Sequence, residues 1–118
     1  MKQVLVTGGA GYIGTHTCVE LLSRGYFPVV VDNFVNSSPS ALDRVRRLTN
    51  HELPSYDADV RDTDAIKDIL VKHSCDSVIH FAGLKAVGES VAKPLDYYSA
   101  NVVGTHSLLS AMMEAGTR

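Results

Sequence analysis

Glycines 8, 11 and 14 of Thr7-Gly8-Gly9-Ala10-Gly11-Tyr12-Ile13-Gly14 directly follow the apolar run Val4-Leu5-Val6. Glycines at that spacing, between a strand and a helix, are suited to holding the pyrophosphate of a dinucleotide against bare peptide N–H groups. Gly8 lets the chain turn out of the strand, Gly11 leaves no side chain between phosphate and backbone, and Gly14 lets the helix pack close to the sheet. A glycine-rich turn alone is common in loops; here its flanks and a later carboxylate give it meaning. That carboxylate is Asp32, which ends the run Phe27-Pro28-Val29-Val30-Val31 and lies eighteen residues after Gly14, near the expected spacing of about 20. It can accept hydrogen bonds from both hydroxyls of an adenine ribose and would repel a 2′-phosphate. The next residue is Asn33 and not arginine, so the expected cofactor is NAD and not NADP. The competing reading makes Asp32 a polar strand-end residue before a turn.

The elements that must position these groups alternate. A strand over about 3–6 leads to a helix from Tyr12 to about Arg24, with Ile13, Cys18, Leu21 and Leu22 inward and Gly25 as its stop. A second strand, Phe27–Asp32, tolerates Pro28 near its start. A loop over 33–40 and a short polar helix through 41–49 come next. The third strand is placed around 53–58, and Asp62 or Thr63 caps a helix to about Lys72 with Ala65, Ile66, Ile69 and Leu70 inward. The fourth, Ser77–Phe81, is short and apolar, as a strand buried on both faces should be. A loop over 83–93 follows, and Pro94 opens one long helix to about Ala115, with Gly116 beyond its end. The pattern predicts an α/β fold: a partial Rossmann, doubly wound parallel sheet, strand order 3-2-1-4, with helices on both faces. A cofactor would lie between strands 1 and 4 at their carboxyl ends, which makes the residues after Phe81 functional suspects by position.

At 118 residues the chain is one domain at most, and such a length buries roughly two-thirds of its unfolded surface. A net charge of −2 argues against nucleic acid or an anionic membrane as partner. No apolar run approaches the roughly 20 residues that span a bilayer, and the N-terminus enters a strand with no signal-peptide architecture. Cys18 and Cys75 form no C-x-x-C and read as small buried thiols, and the five histidines (16, 51, 73, 80 and 106) include no i, i+4 pair. A cytoplasmic protein without a metal is expected. Arg44, Arg46 and Arg47 read as a solvated helix face.

The fourth strand leads into Phe81-Ala82-Gly83-Leu84-Lys85-Ala86-Val87-Gly88-Glu89-Ser90, followed by Pro94-Leu95-Asp96-Tyr97-Tyr98 and Asn101-Val102-Val103-Gly104-Thr105. With the Thr-Gly-x-x-Gly-x-x-Gly motif, these runs resemble the N-terminal third of the UDP-glucose (UDP-galactose) 4-epimerases, extended short-chain dehydrogenase/reductases. The resemblance implies that Tyr12 and Ile13 offer backbone N–H groups to the pyrophosphate. Asp32, Asn33, Asn36 and Ser37 would surround the adenosine ribose and its phosphate, and Asp59 and Val60 would hold the adenine. Phe81, Ala82 and Gly83 would line the path to the nicotinamide, and Lys85 would reach the cofactor's ribose and phosphate. Lys85, Ala86 and Val87 would also face a UDP-hexose substrate. Asn101 would support the loop after the fourth strand; where some relatives carry two asparagines, this chain has Ala100 then Asn101. Duller readings stand beside these: Asn36 and Ser37 as turn formers, Asp59 as a helix-capping neighbour, Phe81 as core, Lys85 as a solvated charge.

The family's chemistry implies a tyrosine base with a lysine four residues on, the lysine lowering the tyrosine's pKa. Residues 12, 26, 56, 97 and 98 are tyrosines, followed four positions later by His16, Val30, Val60, Asn101 and Val102. No catalytic residue is therefore assigned. Residues 1–118 are expected to be an NAD-binding Rossmann domain ending before a fifth strand, inactive alone, with the catalytic and substrate portions elsewhere. An uncovered fourth strand is the expected route to a homodimer, by pairing or exchange between copies. The alternatives are the NAD-binding part of another sugar-nucleotide dehydratase or decarboxylase, or a nucleotide-binding module only.

Overall fold

Alternation of apolar residues inside two strands builds the molecule, because it feeds two cores on opposite faces of one sheet. A computed structural model describes residues 2–35, 37–83 and 87–117, the side chains of 87 and 88 excepted. The strands are β1 (Gln3–Thr7), β2 (Phe27–Asp32), β3 (Ser55–Asp57) and β4 (Ser77–His80). They form one sheet in the order β3-β2-β1-β4, every pair parallel, with Leu5 opposite Val29 and Val78. Val4, Val6 and Val30 point to one face, where α1 (Tyr12–Ser23) and α2 (Pro39–Thr49) cover them with Cys18, Leu22, Leu42 and Val45. Leu5, Val29 and Val31 point to the other, under Ile66, Ile69 and Leu70 of α3 (Thr63–Lys72). Period two thus gives each of β1 and β2 two buried faces. The crossovers through α1 and α2 thus run over one face and the return through α3 over the other, as right-handed connections in the order β3-β2-β1-β4 require.

Several boundaries differ from the sequence reading, each for a local reason. The helix α2 starts at Pro39, two residues earlier than expected, because Ser38 caps it by accepting from the Ser40 N–H at 3.3 Å with proline in the first turn. The loop read over 83–93 contains α4 (Val87–Ala92). The single long helix after Pro94 is instead α5 (Pro94–Tyr98), a π-helical turn (Ser99–Val103) and α6 (Gly104–Ala115). The strand β4 is half-buried along its length, not buried on both faces, since only β1 lies beside it in the described sheet.

Some features follow the sequence closely. Asp62 caps α3 by accepting from the Ala65 N–H at 3.2 Å. Left-handed glycines stand beyond two helix ends, Gly25 after α1 and Gly116 after α6. Arg46, however, is no solvated charge. It is half-buried and donates to the Leu53 carbonyl, at 3.2 Å from Nε and 2.5 Å from Nη2, and to Ser55 Oγ at 3.1 Å, strapping α2 to the approach of β3. Both cysteines are free and buried, and burial pushes the thiol pKa up to about 12 at Cys18 and about 11 at Cys75. They are inert packing groups. Among the described residues, no helix is long and apolar enough to cross a membrane.

Candidate functional site

Parallel strands that all point one way leave a crevice at their carboxyl ends, where neighbouring connections diverge to opposite faces. Here it has a volume of about 790 Å³ and runs from Asp32 and Asp59, past Gly8, Gly11 and Gly14, to Phe81, Ala82 and Gly83. That is a size suited to a small organic ligand.

Its floor is the turn from β1 to α1. Gly8 has a φ of +69°, and a Cβ there would meet Ala82 N at 2.7 Å, so the connection from β1 and the exit from β4 touch backbone to backbone. Gly14 is excluded from having a side chain for a different reason than expected: a Cβ would lie 2.3 Å from the Gly8 carbonyl oxygen and 2.7 Å from Gly9 Cα. The helix packs against its own leading turn more closely than against the sheet. Gly11 is unlike both, with only the Gly8 oxygen at 3.4 Å from a hypothetical Cβ. Among the described residues nothing requires it, and the space beside it is the crevice. Because Gly11 is also the residue before α1, the helix begins without a side-chain cap, leaving its first N–H groups directed at that space. Sequence reasoning missed Gly9, whose hypothetical Cβ would meet Val30 Cγ1 at 2.7 Å. Ile13, expected inward, is 54% exposed, and Tyr12 is 81% exposed; this first turn projects past the sheet and rims the crevice.

Asp32 is buried at the end of β2. Its Oδ2 accepts from the Ala10 N–H at 3.1 Å, while Oδ1 accepts from the Phe34 N–H at 2.8 Å and the Ser37 hydroxyl at 3.2 Å. These bonds fix the carboxylate and join it to the glycine turn through Ala10. A carboxylate has about four acceptor positions, so among the described residues one remains on Oδ2. Ser37 therefore serves Asp32, and is more than a turn former. Asn36 falls outside the described residues.

Across the crevice Asp59 and Val60 follow β3. Asp59 is no helix cap: Oδ1 accepts from Arg61 N–H and Nε, each at 2.9 Å, and Oδ2 from Arg61 Nη2 at 2.6 Å and Asn33 Nδ2 at 3.3 Å. The hydrogen bonds from Arg61 outweigh partial burial and hold the Asp59 pKa down to about 2, and Asn33 adds to them. Arg61, its own pKa raised by Asp59, also donates from Nη1 to Ser99 Oγ of the π turn at 2.9 Å. Arg61 was missed from the sequence; its signal is an arginine two residues after an aspartate, the spacing at which a side chain closes back on the preceding carboxylate. Val60 is buried against Gly104, where a Cβ would lie 3.0 Å from Val60 Cγ2.

On the β4 side, Phe81 packs on the α1 core and also lines the crevice. Ala82 donates its N–H to Thr7 Oγ1 at 3.3 Å, and Asn101 Oδ1 would lie 2.8 Å from a Cβ on Gly83. Asn101 thus covers the loop after β4, in a part of the helix that the π turn displaces. Lys85 and Ala86 lie outside the described residues; Val87 begins α4.

An all-parallel α/β sheet with a glycine-floored crevice at its strand ends, faced by an uncapped helix N-terminus and a carboxylate after the second strand, defines a Rossmann-type domain. The family model for GDP-mannose 4,6 dehydratase matches residues 5–118. The UDP-glucose 4-epimerase of Bacillus subtilis (strain 168) is 55% identical over 115 residues, covering 98% of this chain and 34% of that protein. The UDP-glucose 4-epimerase of Klebsiella pneumoniae is 53% identical over 116 residues, covering 98% of this chain and 84% of that protein. Among solved structures, UDP-glucose-4-epimerase from Stenotrophomonas maltophila with bound NAD and formylated UDP-arabinopyranose superposes with a TM-score of 0.98 at 45% identity, over 100% of this chain and 35% of that one. The Bifidobacterium longum enzyme in complex with NAD⁺ and UDP gives 0.96 at 51% identity, over 99% and 35%.

The chain belongs to the UDP-glucose 4-epimerase family. It spans about a third of the length of the Bacillus subtilis and Mus musculus relatives it matches.

Proposed function

We propose that residues 1–118 are the NAD-binding domain of a UDP-glucose 4-epimerase, an isomerase interconverting UDP-glucose and UDP-galactose through a transient 4-keto sugar. The observation that carries this reading is the open space at Gly11 beside the uncapped start of α1, with Asp32 holding an unfilled acceptor position on the adjacent strand. A pyrophosphate fits the first and a ribose diol the second. The N–H groups of Tyr12 and Ile13 would bind the phosphates. Asp32, with Asn33, Asn36 and Ser37, would orient the adenosine ribose, and Asp59 and Val60 the adenine. Phe81, Ala82 and Gly83, backed by Asn101, would exclude water on the nicotinamide side. Lys85 would bridge cofactor and UDP-hexose, with Ala86 and Val87 beside the sugar nucleotide. Bound NAD⁺ would supply the hydride acceptor that oxidation at C4 demands.

The sequence also bears on turnover. None of the five tyrosines has a lysine four residues on, so these 118 residues bind without a general base of that type. Catalytic and substrate-closing groups then lie in a further portion, after a fifth strand beside β4. The same reading places the protein in the cytoplasm and in galactose metabolism. It also gives β4, with one strand neighbour, as a route to a homodimer. Calorimetric titration with NAD⁺ and with ADP-ribose tests the binding: saturable heat with one site per chain supports it, and no heat with either refutes it. UDP-galactose conversion by these residues with added NAD⁺ would refute the missing-base argument.

A further inference from the structure

We propose that His80 is a positioning residue: as the neutral Nε2–H tautomer it links Thr7 and Thr105 into one directed hydrogen-bond chain. That chain fixes Ala82 and the π turn on either side of Gly83. The inference rests on the dinucleotide reading above, since Phe81–Gly83 is there the wall on the nicotinamide side.

The Thr105 end sets the direction, and the Thr7 end is compatible with it. Thr105 Oγ1 lies 2.6 Å from the Asn101 carbonyl oxygen, which can only accept, so the Thr105 proton is committed there. Toward His80 Nε2, 3.4 Å away, Thr105 can then only accept, and Nε2 carries the ring proton. At the other end the Ala82 N–H donates to Thr7 Oγ1 at 3.3 Å. The Thr7 proton can then point at His80 Nδ1, 2.5 Å away, which accepts in the Nε2–H tautomer. The chain therefore runs from the Ala82 amide through Thr7 to the ring, and from the ring through Thr105 to Asn101, and none of these links competes with another. The opposite tautomer would set Nε2, now an acceptor, against a Thr105 hydroxyl whose proton is already placed.

Position gives this chain its consequence. Thr7 is fully buried at the end of β1 and pairs in register with His80 on β4. Thr105 stands in the first turn of α6, immediately after the π turn that carries Asn101. The Asn101 side chain in turn lies over Gly83. The sheet and the helix after the π turn are thus tied through one imidazole, beside the segment where the crevice ends. A hydrophobic residue at 80 would fill the space but could not set the orientation of either threonine.

Nitrogen-15 NMR of histidine in the 118-residue chain reads the tautomer directly, and calorimetry with NAD⁺ and ADP-ribose reads its consequence. We expect His80 with Nδ1 unprotonated and Nε2 protonated, and NAD⁺ bound more tightly than ADP-ribose. Thr105→Val should mix the tautomers and abolish the NAD⁺ preference while leaving ADP-ribose affinity within about twofold; Thr105→Ser should restore both. An Nδ1–H tautomer in the wild-type chain overturns the proposal, as does equal binding of NAD⁺ and ADP-ribose by that chain. So does a Thr105→Val variant that loses both ligands equally or keeps a pure Nε2–H signal. Absence of ADP-ribose binding by the wild-type chain is the distinct result that removes the dinucleotide reading and this inference together.

Discussion

Gly11 and Gly14 stand three residues apart in one motif, yet alanine at each should fail in opposite ways. At Gly14 the new methyl would sit 2.3 Å from the Gly8 oxygen, about 1 Å inside the closest carbon–oxygen approaches of roughly 3.3 Å. The opposing atoms are backbone, so the start of α1 must lift from its turn, at an overpacking penalty of about 1–3 kcal/mol. Alanine's better helix propensity returns about 0.5–1 kcal/mol, leaving a net loss of about 1 kcal/mol and a melting temperature lower by roughly 4 °C. At Gly11 the backbone, with φ −75° and ψ 177°, suits alanine, and the nearest atom is 3.4 Å away. The stiffer unfolded chain favours alanine by about 0.4–1 kcal/mol, offsetting its poorer capping, so stability should stay within about 0.5 kcal/mol. The methyl would nevertheless occupy the phosphate space, and ADP-ribose affinity should fall at least tenfold, about 1.4 kcal/mol. Thermal melts without ligand and calorimetry with ADP-ribose separate the two. Wild-type affinity in Gly11→Ala would refute the cradle, and an unchanged melt in Gly14→Ala would refute the packing argument.

Asp32→Asn keeps shape but sets an amide among three protein donors; ADP-ribose should bind at least tenfold more weakly, and the apo chain should lose about 1–3 kcal/mol on denaturant titration. Lowering of the Asp59 pKa from 3.8 to about 2 means that its ion pair with Arg61 stabilises the folded chain fully above about pH 4, with the benefit lost as pH falls through about 2. At about 1.4 kcal/mol per pKa unit this is bounded at ~2.5 kcal/mol, and solvent screening reduces it. Arg61→Met should therefore be less stable than wild type at pH 6, with a gap that closes toward pH 2 in denaturant melts; a gap that widens there would contradict the assignment. Arg46→Met should cost about 1–2 kcal/mol by stranding the Leu53 carbonyl, whereas Arg47→Met, on the exposed face of α2, should change the melt by less than about 0.5 kcal/mol.

Strand order was legible because strand–helix alternation after the glycine turn, with right-handed crossovers, gives 3-2-1-4; the division of the core, Val4, Val6 and Val30 on one face and Leu5, Val29 and Val31 on the other, was not, because both runs are apolar throughout. The positions of Gly8, Gly14 and Asp32 were legible too, since each answers a local backbone or strand-end demand. The role of Gly14 was not, because the atoms it avoids belong to Gly8 and Gly9, a fold-back that no periodicity encodes. Arg46 and Arg61 were misread or missed for the same reason. Helical periodicity marks where Arg46 projects, and none covers Arg61 in the turn after β3; their partners Leu53 and Ser99 are brought near only by tertiary structure.

The π turn marks the boundary of what sequence could give. Pro94 and Gly116 define a helix between them with no proline inside it, so pattern alone yields one uninterrupted cylinder. Contacts from other elements gather at the interruption: Val60 against Gly104, Arg61 reaching Ser99, and His80 beside Thr105. An extra residue in one turn rotates the helix that precedes it relative to the helix that follows. In this chain it lets α6 keep Ser107, Leu108 and Ala111 buried while Asn101 remains over Gly83. The irregularity thus falls in the stretch beside the site, where no residue is buried, and not in the packed half of the helix.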